Sequence, residues 1–291
     1  MSGFHDGELA VQRQAGVEAA AARLSSMLSR AELRDGTAAF LHDATFAAIT
    51  ARDPAGQLWI SPLSGPPGFL NRAGPRTLTI RACFPDQAPL HELLVGQPIG
   101  LVVVEFAAKR RVRVNGTLTD VHNGELVVDV EQAYGNCPQY IRQRRLTTQS
   151  VGAGQARVSR RRTLAAEDVS LIQSADTFFL GTTHPERGND ASHRGGPPGF
   201  VRTDGETLWW PDYPGNNMFN SFGNLAADPT AALLFVDFRT GHTLHLSGTA
   251  TVQWNIPGDP DDDTRTGRGV HFTPTRVAAG RLLPAREIGR D

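Results

Sequence analysis

The densest run of groups able to hold a ligand lies between Tyr213 and Leu225, which reads Tyr-Pro-Gly-Asn-Asn-Met-Phe-Asn-Ser-Phe-Gly-Asn-Leu. A Gly, Asn and Ser turn entering a short helix offers backbone N–H groups and amide side chains to an anion, much as helix N-termini hold phosphate. An ordinary Asn/Gly loop with an N-cap would look the same in sequence. Asn216, Asn217, Asn220 and Ser221 are the candidates here. A second run, Lys109-Arg110-Arg111-Val112-Arg113, opens an extended segment, and alternation puts Arg111 and Arg113 on one face. Such a face could equally be solvated. A third, His193-Arg194-Gly195-Gly196, sets a base and a cation beside glycines that let a planar ligand approach the backbone.

Metal and nucleophile chemistry find less support. The nine histidines form no His-x-x-x-His pattern and the two cysteines, Cys83 and Cys137, no Cys-x-x-Cys, so no metal site is expected. Cys137 precedes Pro138 with no base nearby in sequence and reads as a buried structural thiol. Neither a Gly-x-Gly-x-x-Gly fingerprint nor a P-loop is present, which disfavours a dinucleotide-binding α/β domain.

The elements that must position these groups are short and β-rich. Thirty glycines and nineteen prolines punctuate the 291 residues, a pattern of many strands and turns. Strands are expected at Thr45–Thr50, Leu58–Pro62, Thr77–Ile80, Leu101–Phe106, Arg111–Leu118, Glu125–Val130, Thr207–Trp210 and Ala232–Phe238. An amphipathic helix or two over Gly7–Ala31 is expected to cover a barrel end.

An internal repeat organises the chain. Gly65-Pro66-Pro67-Gly68-Phe69 recurs 131 positions later as Gly196-Pro197-Pro198-Gly199-Phe200. Thr45-Phe46, Val103–Phe106 and Asn115-Gly116-Thr117 recur 132 positions later as Thr177-Phe178, Phe235–Phe238 and Ser247-Gly248-Thr249. So long a period means two copies of one domain. The expected organisation is an N-terminal helical segment (1–35), a first domain (36–133), a helix and arginine-rich linker (134–167), a second domain (168–256) and a tail (257–291) with a last strand near Val270–Phe272. The His-Arg pair has no counterpart in the first copy, and Lys109–Arg113 faces a far less basic His242-Thr243-Leu244-His245 in the second. One copy could thus supply cations to a ligand held by the other.

Together these residues resemble the pyridoxamine 5′-phosphate oxidase-like, FMN-binding split-barrel superfamily. In that family an Asn-Pro or Asp-Pro pair after a short helix leads into an apolar strand, then a turn and an Arg-Gln-Val-Arg-(x)₂-Gly strand. Here Asp228-Pro229 leads into Leu233–Phe238, and Arg110-Arg111-Val112-Arg113-Val114-Asn115-Gly116 matches the second element with Arg111 in place of Gln. The resemblance implies a mainly β chain with minor α, made of two tandem Greek-key split barrels that form an intramolecular pseudo-dimer. By position it implies that Asn217, Asn220 and Ser221 hold the FMN phosphate. The family's Ser-Arg-Lys is missing there, a deficit that Arg194 or Arg111 and Arg113 could make good. The strands along the flavin correspond to Pro198–Val201 and Leu208–Pro211, adding Pro198, Val201 and Trp210 to the cofactor residues. The Phe4–Glu8 and Asn136–Ile141 segments most resemble a tandem-repeat subgroup. Arg281-Leu282-Leu283-Pro284 echoes the vitamin-pathway oxidase, but no Trp follows Trp254, so pyridoxamine phosphate is not the expected substrate.

The implied function is an FMN-dependent oxidoreductase acting on a small molecule, with NAD(P)H as a candidate donor and His193 as the best candidate proton donor. The alternative is a protein that binds flavin or haem for storage or sensing without turnover. Net charge −1 gives no global field toward nucleic acid or membrane. The absence of an apolar N-terminal leader and of a disulfide framework gives the cytoplasm as the expected compartment. Association of two chains stays open.

Overall fold

A computed structural model describes residues 3–28, 31–81, 84–148, 157–256, 266–283 and 285–288; Cys83 and the acidic stretch Asp259–Asp263 lie outside these. The first half carries α1 (Asp6–Gln14), α2 (Glu18–Ala22), α3 (Ser25–Leu28) and α4 (Asp35–Asp43). After them come β1 (Phe46–Arg52), β2 (Leu58–Ser64), β3 (Leu70–Arg72), β4 (Thr77–Arg81), β5 (Pro98–Glu105), β6 (Arg110–His122) and β7 (Glu125–Gly135). Two short strands follow, β8 (Arg145–Thr148) and β9 (Ser159–Arg161), then α5 (Ala166–Ser174). The second half holds β10 (Thr177–His184), β11 (Gly188–Gly195), β12 (Arg202–Asp204), β13 (Thr207–Pro211), α6 (Asn220–Ala227), β14 (Thr230–Asp237), β15 (His242–Gln253), β16 (Gly269–Arg281) and β17 (Ala285–Ile288).

The first sheet runs β2-β1-β5-β6-β7-β4-β3 and the second β11-β10-β14-β15-β16-β13-β12, the same order strand for strand. The repeated motifs are the repeated backbone devices. Gly68 and Gly199 take φ of 88° and 86°, and Phe69 and Phe200 each donate a 3.0 Å bond to the first proline of their Gly-Pro-Pro-Gly. Asn115-Gly116 and Ser247-Gly248 both mark register shifts, at which a strand twists and bends.

Alternation explains how the halves are joined. In β1, Ala47, Ile49 and Ala51 face the first barrel's core while Phe46 and Ala48 face a separate core. In β5, Ile99, Leu101 and Val103 point one way, Val102 and Val104 the other. Phe178 and Leu180 against Phe179 in β10, and Leu233 and Phe235 against Leu234 and Val236 in β14, repeat the pattern. These strands are buried on both faces and therefore read as continuous apolar runs. Their second faces form one shared core between the barrels, including Phe106 and Phe238.

Three expectations need correction. Among the described residues no helix lies between Tyr134 and α5: β7 continues to Gly135, residues 136–144 are irregular, and β8 pairs with β17. Arg144 fixes that course, buried between the rings of Phe106 and Phe238 and ion-paired with Asp176. The second domain does not end at residue 256, because β16 sits between β15 and β13 in the middle of its sheet. Pro274 and the register shift opposite Gly248 break its period-two pattern. Finally, the N-terminal segment forms three short helices rather than one or two, and α1 lies on α6 of the second half.

Candidate functional site

A cleft opens between the halves. The second half supplies the end of β11 (His193, Arg194, Gly195), the loop from Pro211 to Asn217, the first turn of α6 and Arg268. The first half supplies Arg111 and Arg113 from β6 and the strap Asn136–Tyr140 after β7. Phe200, Trp210, Tyr213, Phe219 and Phe222 give the cleft aromatic walls.

Its electrostatics are cationic. Arg113 Nη1 donates to Asp190 Oδ2 at 2.8 Å, and Arg268 Nε to Asp212 Oδ2 at 2.9 Å, with Arg194 3.9 Å from the other Asp212 oxygen. Arg111 has no carboxylate partner among the described residues. It donates instead to His193 Nδ1 at 2.9 Å and to the His193 carbonyl at 3.3 Å. Burial, reinforced by Arg113 and Arg194, lowers Arg111 well below the ordinary guanidinium range, to about 9. The Nε atoms of Arg111 and Arg194 are buried without a hydrogen-bond partner. Four arginines therefore share two carboxylates, and such a buried surplus calls for an anion.

The first turn of α6 points to the same chemistry. Its N-cap residue Phe219 sits at φ 58°, ψ 28° and provides no side-chain acceptor for the leading N–H groups. No acidic residue of α6 itself occupies its first turn, where an anion is favoured by the helix dipole. Asn217 at φ 60°, Phe219 and Tyr140 at φ 66° place three left-handed non-glycine residues around the cleft. Strain of this kind collects at ligand sites. The strap is clasped at both ends: Asn216 Nδ2 donates to Asn136 Oδ1 at 3.0 Å, and the Tyr140 hydroxyl to the Pro214 carbonyl at 3.1 Å. Tyr140 also stacks on Tyr213 with centroids 5.2 Å apart.

Of the residues expected from sequence, Arg111, Arg113, His193, Arg194, Trp210, Asn216, Asn217, Asn220 and Ser221 all line this cleft. Two do not: Val201 is buried in the second barrel's core, and Pro198 lies exposed on the turn. Side-chain roles also shift. Asn220 is bonded to Glu8, and Ser221 Oγ donates to Ser192 Oγ at 3.3 Å, so both side chains are engaged within the protein. Asn216 is spent on the strap and on Met218. His193 is not a neutral-pH acid. Burial, with Arg111, Arg144 and Arg194 around it, holds its pKa well below 6.5. Because a guanidinium can only donate, Nδ1 accepts and the single proton sits on Nε2. Cys137 is half-buried in the cleft wall rather than in a core.

Sequence reasoning missed Asp212, Arg268, Tyr140 and Cys137 as cleft residues. Arg268 lies more than 40 positions from the Asn/Ser loop, and only the pairing of β16 with β13 brings it there.

The pseudo-equivalent position lacks the two arginines. Thr243 and His245 stand where Arg111 and Arg113 stand 132 positions earlier. Thr243 donates to the Gly280 carbonyl at 3.1 Å, and His245 Nδ1 lies 2.9 Å from the Ile60 carbonyl. Burial lowers His245 to about 4 and keeps it neutral. Residues 84–97, in the place of the loop and α6, contain no helix.

A family model described as pyridoxamine 5′-phosphate oxidase matches residues 164–257. A search of curated proteins finds no match. Solved structures similar to the chain include one from Clostridium acetobutylicum, related to general stress protein 26 of Bacillus subtilis and placed in the pyridoxinephosphate oxidase family. It is 18% identical, with 42% of this chain and 91% of that one covered and a TM-score of 0.31. A FAD-binding protein from Mesorhizobium loti is 10% identical over 42% and 97%, TM-score 0.30. A haem storage protein from Vibrio cholerae is 11% identical over 42% and 97%, TM-score 0.29. Likeness at this level carries no functional argument. No described helix is long and apolar enough to cross a membrane.

Proposed function

We propose that this chain, whose residues 164–257 belong to the pyridoxamine 5′-phosphate oxidase-like split-barrel superfamily, binds one FMN in the cleft between its halves and works as a flavin-dependent oxidoreductase on a small molecule. The observation that carries the reading is Arg111, a buried cation without a carboxylate, beside the uncapped first turn of α6. A phosphate monoester supplies the dianion that both features lack. The aromatic walls suit a planar ring system.

When bound, the flavin supplies hydride or single-electron chemistry. The chain's own residues bind and orient it. Arg111, Arg113 and Arg194, with the backbone N–H groups of Asn220 and Ser221, hold the phosphate. His193, neutral and fixed by Arg111, offers a single Nε2–H as hydrogen-bond donor. The Asn136–Tyr140 strap covers the cleft and limits water. No cleft side chain is poised as a strong acid or base, which suits direct transfer to or from the flavin with NAD(P)H as donor. The exchange of Arg111 and Arg113 for Thr243 and His245 at the pseudo-equivalent position argues for one flavin per chain. Residence in the cytoplasm belongs to the same reading.

The test is the absorption spectrum of the purified protein, mass identification of any released compound, and FMN titration. Flavin bands, an FMN mass and saturation at one FMN per chain are the expected results. A colourless protein that also refuses added FMN removes the reading. Bound flavin that NAD(P)H does not bleach would leave a flavin carrier in place of an oxidoreductase.

A further inference from the structure

The site has a support that comes from the opposite end of the chain. Helix α1 crosses α6 at a pair of glycines in direct backbone contact. A Cβ built on Gly7 would lie 2.3 Å from the Gly223 carbonyl oxygen, and one on Gly223 2.6 Å from the Glu8 nitrogen. Only hydrogen at both positions permits so close a crossing. Three side chains of the N-terminal segment then grip α6 and the loop before it. The carboxylate of Glu8 accepts from Asn220 Nδ2, Gln12 Nε2 donates to the Met218 carbonyl at 3.1 Å, and His5 Nε2 lies 3.1 Å from Asn224 Oδ1.

Glu8 is the centre of this grip. It is 3% exposed and also accepts from the His5 backbone N–H at 2.8 Å, closing a capping box on its own helix. His5 Nδ1 accepts from the Gly7 N–H, which leaves the proton on Nε2 for Asn224. A buried carboxyl is costly to keep, and this one is spent on the first residue of α6. Met218 and Asn220 flank Phe219, the left-handed residue that starts the helix. The direction in which the leading N–H groups point is therefore set from behind, by α1. Residues 84–97, in the corresponding place of the first half, contain no helix, so α1 serves this cleft.

Resting on the FMN reading above, we propose that Glu8, with Gln12, is a positioning residue of the phosphate site: it fixes the first turn of α6 and thereby sets the preference for a phosphorylated ligand over its dephosphorylated form. Neither residue lines the cleft.

Discrimination, not affinity alone, tests this. FMN and riboflavin are titrated against the full-length wild-type protein and against Glu8→Ala, Glu8→Gln and Gln12→Ala, with thermal melting as a control for folding. Glu8→Ala is expected to weaken FMN about tenfold, the worth of one good hydrogen bond, while riboflavin changes less than about twofold, so that the preference for FMN falls. Glu8→Gln, which keeps an acceptor oxygen, restores most of the preference, and Gln12→Ala shows a smaller loss in the same direction. Equal weakening of both ligands, or no change in either, overturns the positioning role. Wild-type protein that binds neither ligand overturns the FMN reading and this inference with it. If Glu8→Ala fails to fold, Gln12→Ala decides, and an unchanged preference in that variant overturns the proposal.

Discussion

At the residue scale the decisive feature is a cation that the fold buries without a matching anion. Arg111 donates to an imidazole nitrogen and a carbonyl, neither of which neutralises it. Its folded-state value of about 9 lies well below the ordinary guanidinium range, so the charged form opposes folding at any pH below about 9. That opposition lifts only as pH rises above about 9 toward the ordinary guanidinium range. A bound anion offsets the same cost at neutral pH. Inorganic phosphate is therefore expected to raise the melting temperature of the wild-type protein and to leave Arg111→Leu unmoved. The same variant should lose about tenfold to a hundredfold in FMN affinity, the range for one hydrogen bond to a charged group. An equal phosphate response in both proteins would place the anion elsewhere. His193 illustrates how neighbours decide chemistry. In sequence it is a neutral-pH proton donor beside glycines, but among three arginines it is held neutral and becomes a hydrogen-bonding ring.

At the element scale, the motifs most visible in the chain are structural devices shared by both barrels. The Gly-Pro-Pro-Gly-Phe turns and the Asn-Gly and Ser-Gly register shifts recur because both sheets need the same reversal and the same bend. A Cβ on Gly248 would lie 2.0 Å from the Thr273 carbonyl oxygen, which is backbone and cannot swing away. Gly248→Ala is expected to destabilise the protein by about 1–3 kcal/mol. That corresponds to a fall in melting temperature of about 2–4 °C per kcal/mol for a chain of this size. An unchanged melting curve would mean that the bulge relaxes without loss. Elements without a counterpart in the other half carry the site: α6 with its leading loop, and the strap after β7. Divergence between the copies, not their likeness, shapes the cleft.

At the scale of the whole molecule, the two barrels share a core. Their central strands are buried on both faces, and the shared core joins Phe46, Val102 and Phe106 to Phe179, Leu234 and Phe238. Phe179 packs 5.3 Å from Phe46 and 5.8 Å from His193, so it touches both the seam and the cleft. Phe179→Ala should cost about 3–5 kcal/mol. Denaturation followed by tryptophan fluorescence and by far-ultraviolet circular dichroism should give coincident single transitions in wild type and variant alike. Two separated transitions would show that the halves unfold independently. Pseudo-symmetry creates two positions across the seam, and Thr243 and His245 stand at the second where Arg111 and Arg113 stand at the first.

The amino-acid sequence by itself determined the repeat, most strand positions, the β-rich class and nine of the cleft's residues, because turn glycines, apolar alternation and runs of arginine are local signals. It misplaced what depends on distant partners. The segment after Tyr134 reads as a helix until Arg144 is seen held between Phe106 and Phe238. The tail reads as appended until β16 pairs with β15 and β13. Only the tertiary structure decided that Glu8 and Ser192 take the side chains of Asn220 and Ser221. Only it brought Asp212 and Arg268 into the cleft. The physical reason is common to all of these. Hydrogen bonding and desolvation depend on what lies within a few ångströms in space, and in this fold those neighbours lie up to about two hundred residues away along the chain.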